Sequence, residues 1–118
     1  MRVSKLQVNP FLSKELSRVL YQTIADLKTP QEAEQFLKAF LAEAELITLT
    51  KRLAVAYSLD RKQGYRNIRE NLKVSTATIA QIKIKLENDG VRIALQKIKT
   101  EEWANLWSEK IRKFVKVG

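Results

Sequence analysis

The feature that most constrains this chain is how rarely its helix-compatible sequence is interrupted. Among 118 residues the only helix breakers are Gly64, Gly90, Gly118, Pro10 and Pro30. The intervals between them are rich in Leu, Ala, Glu, Lys and Gln, residues that lose little side-chain freedom in a helix. No long apolar–polar alternation of period two occurs, so the pattern argues against a sheet and predicts an all-α, multi-helix domain. One domain of this length buries roughly two-thirds of its unfolded surface and needs no covalent staples.

The breakers and caps divide the chain. Residues 1–9 read as a short, flexible basic arm. Asn9 and Pro10 form a start signal, and Leu12, Leu16, Val19, Leu20 and Ile24 recur at helical spacing up to about Lys28. Thr29-Pro30-Gln31-Glu32 opens a second helix, with Thr29 as cap and Glu32 placed to close a capping box. Ala33, Phe36, Leu37, Phe40 and Leu41 form its stripe. A third helix is expected from about Glu45, carrying Leu46, Leu49, Leu53 and Ala56/Tyr57 and ending before Gly64. Then come a short helix from Tyr65 to Leu72, a break at Lys73-Val74-Ser75, and a helix from Thr76 to about Glu87. Asn88-Asp89-Gly90 is expected to stop that helix, with Gly90 left-handed. A further short helix carries Val91, Ala94, Leu95 and Ile98. Thr100 is expected to cap a C-terminal helical extension over 100–118, leaving 10–99 as the main helical domain.

Composition narrows the chemistry. The chain has no Cys and no His, which removes disulfides, thiol catalysis, the common zinc sites and the usual general base near neutral pH. Neither a metal nor a cofactor is expected, and the chain does not read as an enzyme. Charge is uneven: residues 1–60 carry 8 basic and 7 acidic side chains, whereas residues 61–118 carry 14 and 6, a net +8. Such asymmetry implies a polyanionic partner for the C-terminal half. No apolar run is long enough to span a bilayer, and the N-terminal residues lack the apolar core of a signal peptide, so no membrane partner and a cytoplasmic location are expected.

Residues 65–87 carry the most specific signal. Two short helices joined by a tight turn must pack steeply, which demands apolar residues on both inner faces and in the turn. Ile68, Leu72, Val74, Ile79 and Ile82 supply them, at +4, +6, +11 and +14 from the first. That is helix-turn-helix core spacing. The outer face of the second helix must enter a major groove about 12 Å wide. Thr76, Ala77, Ala80, Gln81 and Lys83 are small or polar enough. Arg66, Arg69, Lys73 and Lys85 surround it as phosphate contacts, and Ser75 is the N-cap. Lys73 stands where such turns usually hold glycine, at a cost of about 1 kcal/mol if the residue is left-handed.

Ser75-Thr76-Ala77-Thr78-Ile79 closely resembles the start of the recognition helix in the Trp repressor superfamily. Leu27-Lys28-Thr29-Pro30-Gln31-Glu32 resembles the family's entry to its second helix. Leu49-Thr50-Lys51-Arg52-Leu53-Ala54-Val55-Ala56 resembles its third. The resemblance covers roughly residues 11–98. It implies an all-helical, intertwined homodimer that presents two reading heads to double-stranded DNA. Base-reading positions would fall on Thr76, Ala77 and Ala80, and backbone-contacting positions on Tyr65, Arg69, Thr78 and Gln81. The family's tryptophan pocket uses two arginines, a glycine and a serine. The matching residues here are Arg52, Gln81, Ile82 and Lys85, so one effector contact, Arg52, is kept and tryptophan is not expected as corepressor.

These features together read as a sequence-specific DNA-binding transcriptional regulator, a repressor by resemblance. The alternative is a helical interaction module that holds an acidic protein partner and uses the helix pair only for packing. A small helical enzyme built on Arg and Glu would need a polar interior, which the apolar stripes do not provide. Trp103 and Trp107 lie four apart and read as packing residues. Lys110, Ile111, Arg112 and Lys113 read equally well as a contact to phosphate or an anionic membrane and as a solvated helix end.

Overall fold

The computed structural model describes residues 8–100, and within them the fold is all-α. Six helices follow one another: α1 Pro10–Ala25, α2 Pro30–Phe40, α3 Glu43–Asp60, α4 Tyr65–Leu72, α5 Thr76–Ile84 and α6 Asp89–Thr100. No strand occurs among the described residues. Residues 1–7 of the arm expected at 1–9, residues 101–118 of the expected C-terminal extension and the two tryptophans lie outside the described residues.

The start signals act as their chemistry requires. The Asn9 side chain accepts the Phe11 amide at 2.9 Å, and Pro10 takes the first helical position, where its missing N–H is no loss. Thr29 Oγ1 accepts the Glu32 amide at 3.1 Å. The return arm of that capping box reaches one residue farther upstream than the sequence pattern predicts, since Glu32 Oε1 accepts from the Lys28 amide at 2.8 Å. The third helix begins two residues before Glu45. Glu45 is its third helical residue, and its carboxylate accepts the Ala42 amide at 2.7 Å, which fixes the start at Glu43 and holds the carboxyl below its ordinary range.

Two helix ends depart from expectation. The first helix stops at Ala25 rather than near Lys28. Asp26 closes it by donating its backbone amide to the Gln22 carbonyl, and its carboxylate accepts from the Gln22 side chain at 2.9 Å. The chain then extends into Thr29, as the residue before a proline prefers. The fifth helix stops at Ile84 rather than near Glu87. Beyond it the chain tightens into three-residue turns, with the Lys85, Leu86 and Asn88 amides bonded to the carbonyls of Ile82, Lys83 and Lys85. Gly90 is not left-handed, and it stops nothing. It lies in the first turn of α6, where Asn88 Oδ1 accepts its amide at 2.8 Å. Asn88 starts α6, so no glycine conformation is needed to end α5. Thr100 is still helical and donates its hydroxyl to the Lys97 carbonyl, and the C-terminal helix expected from it lies outside the described residues.

The described residues fall into two compact units divided between Leu46 and Ile47. The second unit holds all the fully buried apolar residues described: Val55, Ala56, Tyr57 and Leu59 of α3, Ile68 of α4, Ile79 and Ile82 of α5, and Leu95 and Ile98 of α6. Leu72, Val74, Leu86 and Val91 pack around them. Four helices thus share one core, which sets the pose of α4 against α5. Neither α1 nor α2 contains a buried residue.

An ion triad ties α6 to the end of α3. The Asp60 carboxylate, 14% exposed, is 2.7 Å from Lys99 Nζ and 3.1 Å from Arg92 Nη1. The Lys99 hydrogen bond, helped by Arg92, holds the carboxyl below its ordinary value although burial pushes it upward. A lowered folded value stabilises the fold at pH above the ordinary aspartate range, and that contribution is lost as pH falls through the folded value. Asp60→Asn should therefore destabilise the protein by about 1–2 kcal/mol near neutral pH, since both cations are partly exposed. The deficit should shrink below about pH 4. Thermal melts of both proteins at neutral and acid pH check this, and a deficit independent of pH would remove the triad as its cause.

Candidate nucleic-acid interface

The interface is built by α4, the turn after it and α5. Ile68 and Ile79 are fully buried and Ile82 nearly so, with Leu72 and Val74 half-buried beside them. These are the five positions whose spacing predicted a steep helix pair, and all five serve the same core. Their burial fixes which side of α5 faces outward.

The turn is stabilised from three directions. Lys73 is left-handed, at φ 55° and ψ 52°, and its amide closes α4 on the Arg69 carbonyl at 3.0 Å. A non-glycine residue here costs about 1 kcal/mol relative to an ordinary conformation. Lys51 Nζ of α3 offsets part of that cost by donating to the Lys73 carbonyl at 3.1 Å. Lys51 was not singled out from sequence, because a tie across 22 residues leaves no local signature. Ser75 is extended and caps α5, accepting the Thr78 amide at 3.1 Å. Its hydroxyl also donates to Thr78 Oγ1 at 3.0 Å, which leaves the Thr78 hydroxyl proton available to an outside acceptor.

Around this frame Tyr65, Arg66, Arg69, Lys73, Ser75, Thr76, Ala77, Gln81, Lys83 and Lys85 are exposed, while Thr78 and Ala80 are half-buried. All lie on α4, α5 or the residues flanking them, so the fold gathers the predicted residues into one region. Arg66 Nε pairs with Glu70 at 3.2 Å, a surface ion pair of the kind worth at most about 1 kcal/mol. Arg69, Lys83 and Lys85 make no ion pair among the described residues. Of the four positions matched to a tryptophan pocket, Arg52, Gln81 and Lys85 are exposed. Ile82 is packed into the core at 9% exposure, its side chain occupying interior space. No group of three or more Asp or Glu residues placed to hold a metal ion occurs among the described residues.

Residues 14–99 match the family described as Trp repressor protein, and the match includes α4, the turn and α5. The chain belongs to the Trp repressor family. A relative, "Uncharacterized protein YerC" of Bacillus subtilis (strain 168), is 31% identical over 99 residues, covering 82% of this chain and 94% of its own length. No solved structure matches. The Trp repressor family is one of regulatory DNA-binding proteins rather than enzymes, and membership points to a helix-turn-helix DNA-binding regulator. No described helix is long and apolar enough to cross a membrane.

Proposed function

We propose that this protein is a homodimeric, sequence-specific transcriptional regulator, acting as a repressor, that inserts α5 into the major groove of duplex DNA. The observation that carries the reading is the pose of α5. One face is locked into the core through Ile79 and Ile82, while the opposite face is exposed, free of carboxylates and fringed by cations. An interaction module for an acidic protein would share the cations. It would have no need for a small-residue helix face at the start of a serine-capped helix beside a tight turn.

In this reading Thr76, Ala77 and Ala80 face the base edges at the start of the recognition helix. Tyr65, Arg69, Thr78 and Gln81, with Arg66, Lys73, Lys83 and Lys85, hold the phosphate backbone, and Ser75 fixes the helix start. Phosphate contacts position the protein and base contacts specify the site. Tryptophan is not the corepressor, because Ile82 occupies the interior and Gln81 supplies no charge to the ligand carboxylate. The regulator works in the cytoplasm, where the DNA is.

Salt dependence tests the electrostatic part. Each neutralised phosphate contributes a slope of about −0.9 to a log–log plot of affinity against salt. Arg69→Ala should flatten that slope by about one and weaken all duplexes alike. An unchanged slope in the folded variant would remove Arg69 from the interface.

A further inference from the structure

The most exposed large apolar side chain among the described residues is Ile84, at 83%. It lies in the last turn of α5, whose two other isoleucines, Ile79 and Ile82, are in the core. Ile84 follows Ala77 by seven residues and Ala80 by four. At about 100° per residue these three share one side of the helix, Ala77 and Ile84 opposite the buried face and the half-buried Ala80 at its edge. Lys83 and Lys85 project about 100° to either side of Ile84. An apolar residue thus points straight out of the helix with one cation on each flank, and α5 contains no acidic residue.

That arrangement fits a groove with an apolar feature on its floor and an anionic wall on each side. In the major groove the one apolar group is the thymine C5 methyl, and the walls are phosphate. Reading guanine calls for an arginine or lysine directed at the floor, and here both lysines are directed to the sides. Resting on the DNA-binding reading above, we propose that Ile84 is a further base-reading residue of α5. With Ala77 and Ala80 it forms an apolar strip that selects duplexes by their thymine methyl groups.

The test begins with the duplex most enriched when the wild-type protein selects from a random library. Each thymine of that duplex is then replaced, one at a time, by deoxyuridine, which removes the methyl group and leaves every hydrogen-bonding edge intact. Wild-type affinity should fall about fourfold at one or more positions, the equivalent of one buried methylene. In Ile84→Ala at least one of those penalties should vanish while the others persist. Because Ile84 is almost wholly exposed, the variant leaves the core alone, and an unchanged melting curve verifies this. Sequence-specific binding that ignores every deoxyuridine, or penalties identical in Ile84→Ala, would overturn the proposal and leave the DNA-binding reading standing. Failure to bind any duplex would overturn both.

Discussion

Ala77→Glu should abolish specific DNA binding while the protein stays folded. Ala77 is the second residue of α5, exposed and on the face directed away from Ile79 and Ile82. A glutamate there adds bulk where the helix must approach base edges and a negative charge between two phosphate walls. The specific increment over non-specific binding in such proteins is typically a thousandfold or more, and this is the part that should be lost. Stability argues the other way. Glutamate is nearly as good a helix former as alanine, and a carboxylate in a first turn interacts favourably with the helix dipole. A melting temperature at or above that of the parent, together with the loss of specific affinity, is the expected pair of results. Retained affinity in the folded variant would mean that α5 does not dock by this face.

The second large effect concerns assembly. Leu12, Leu16, Val19, Leu20 and Ile24 of α1 are each between 46% and 62% exposed, and the helix buries nothing. Phe40, Ile47, Leu49 and Leu53 are also exposed. A folded chain rarely leaves so many large apolar side chains in water, and in each unit such exposed apolar side chains mark an interface. A second copy is the occupant we propose, as the resemblance to an intertwined dimer implies. Folding is then coupled to association, and each tenfold rise in protomer concentration stabilises the dimer by about 1.4 kcal/mol, raising the melting temperature by a few degrees. Leu16→Glu should remove this dependence and leave the chain largely unfolded. Sedimentation showing a folded wild-type monomer at nanomolar concentration would contradict the proposal.

The contrast between these two regions marks what local sequence encodes. Side-chain caps are short-range, so Asn9, Thr29 and Ser75 announce helix starts, and each side chain accepts a backbone amide in the first turn of its helix. The helix-turn-helix core was equally legible, because five apolar positions at fixed spacing leave few ways to pack two short helices. Helix ends were less so. Asn88 and Gly90 together read as a stop for α5, but asparagine is also a start signal, and the Gly90 amide in the first turn of α6 goes to the Asn88 side chain just before it. The chain needed the cap more than the left-handed turn. Ties between distant residues left no trace in spacing at all. Lys51 on the Lys73 carbonyl and Lys99 on Asp60 are lysines like any others until the fold brings them to their partners. Lys73 shows the intermediate case. Its place in the motif predicted the left-handed backbone, whereas the residue type argued against it, and the geometry of the turn prevailed.

The central claim is that α5 reads duplex DNA by sequence. Selection from a random duplex library, with sequencing of the bound fraction over several rounds, tests it most directly. The account predicts enrichment of a single site with two-fold symmetry, its half-sites about one helical turn apart or a multiple of that, as two α5 helices of a dimer require. A bound fraction whose sequences stay as random as the input, whatever the salt concentration, would contradict it.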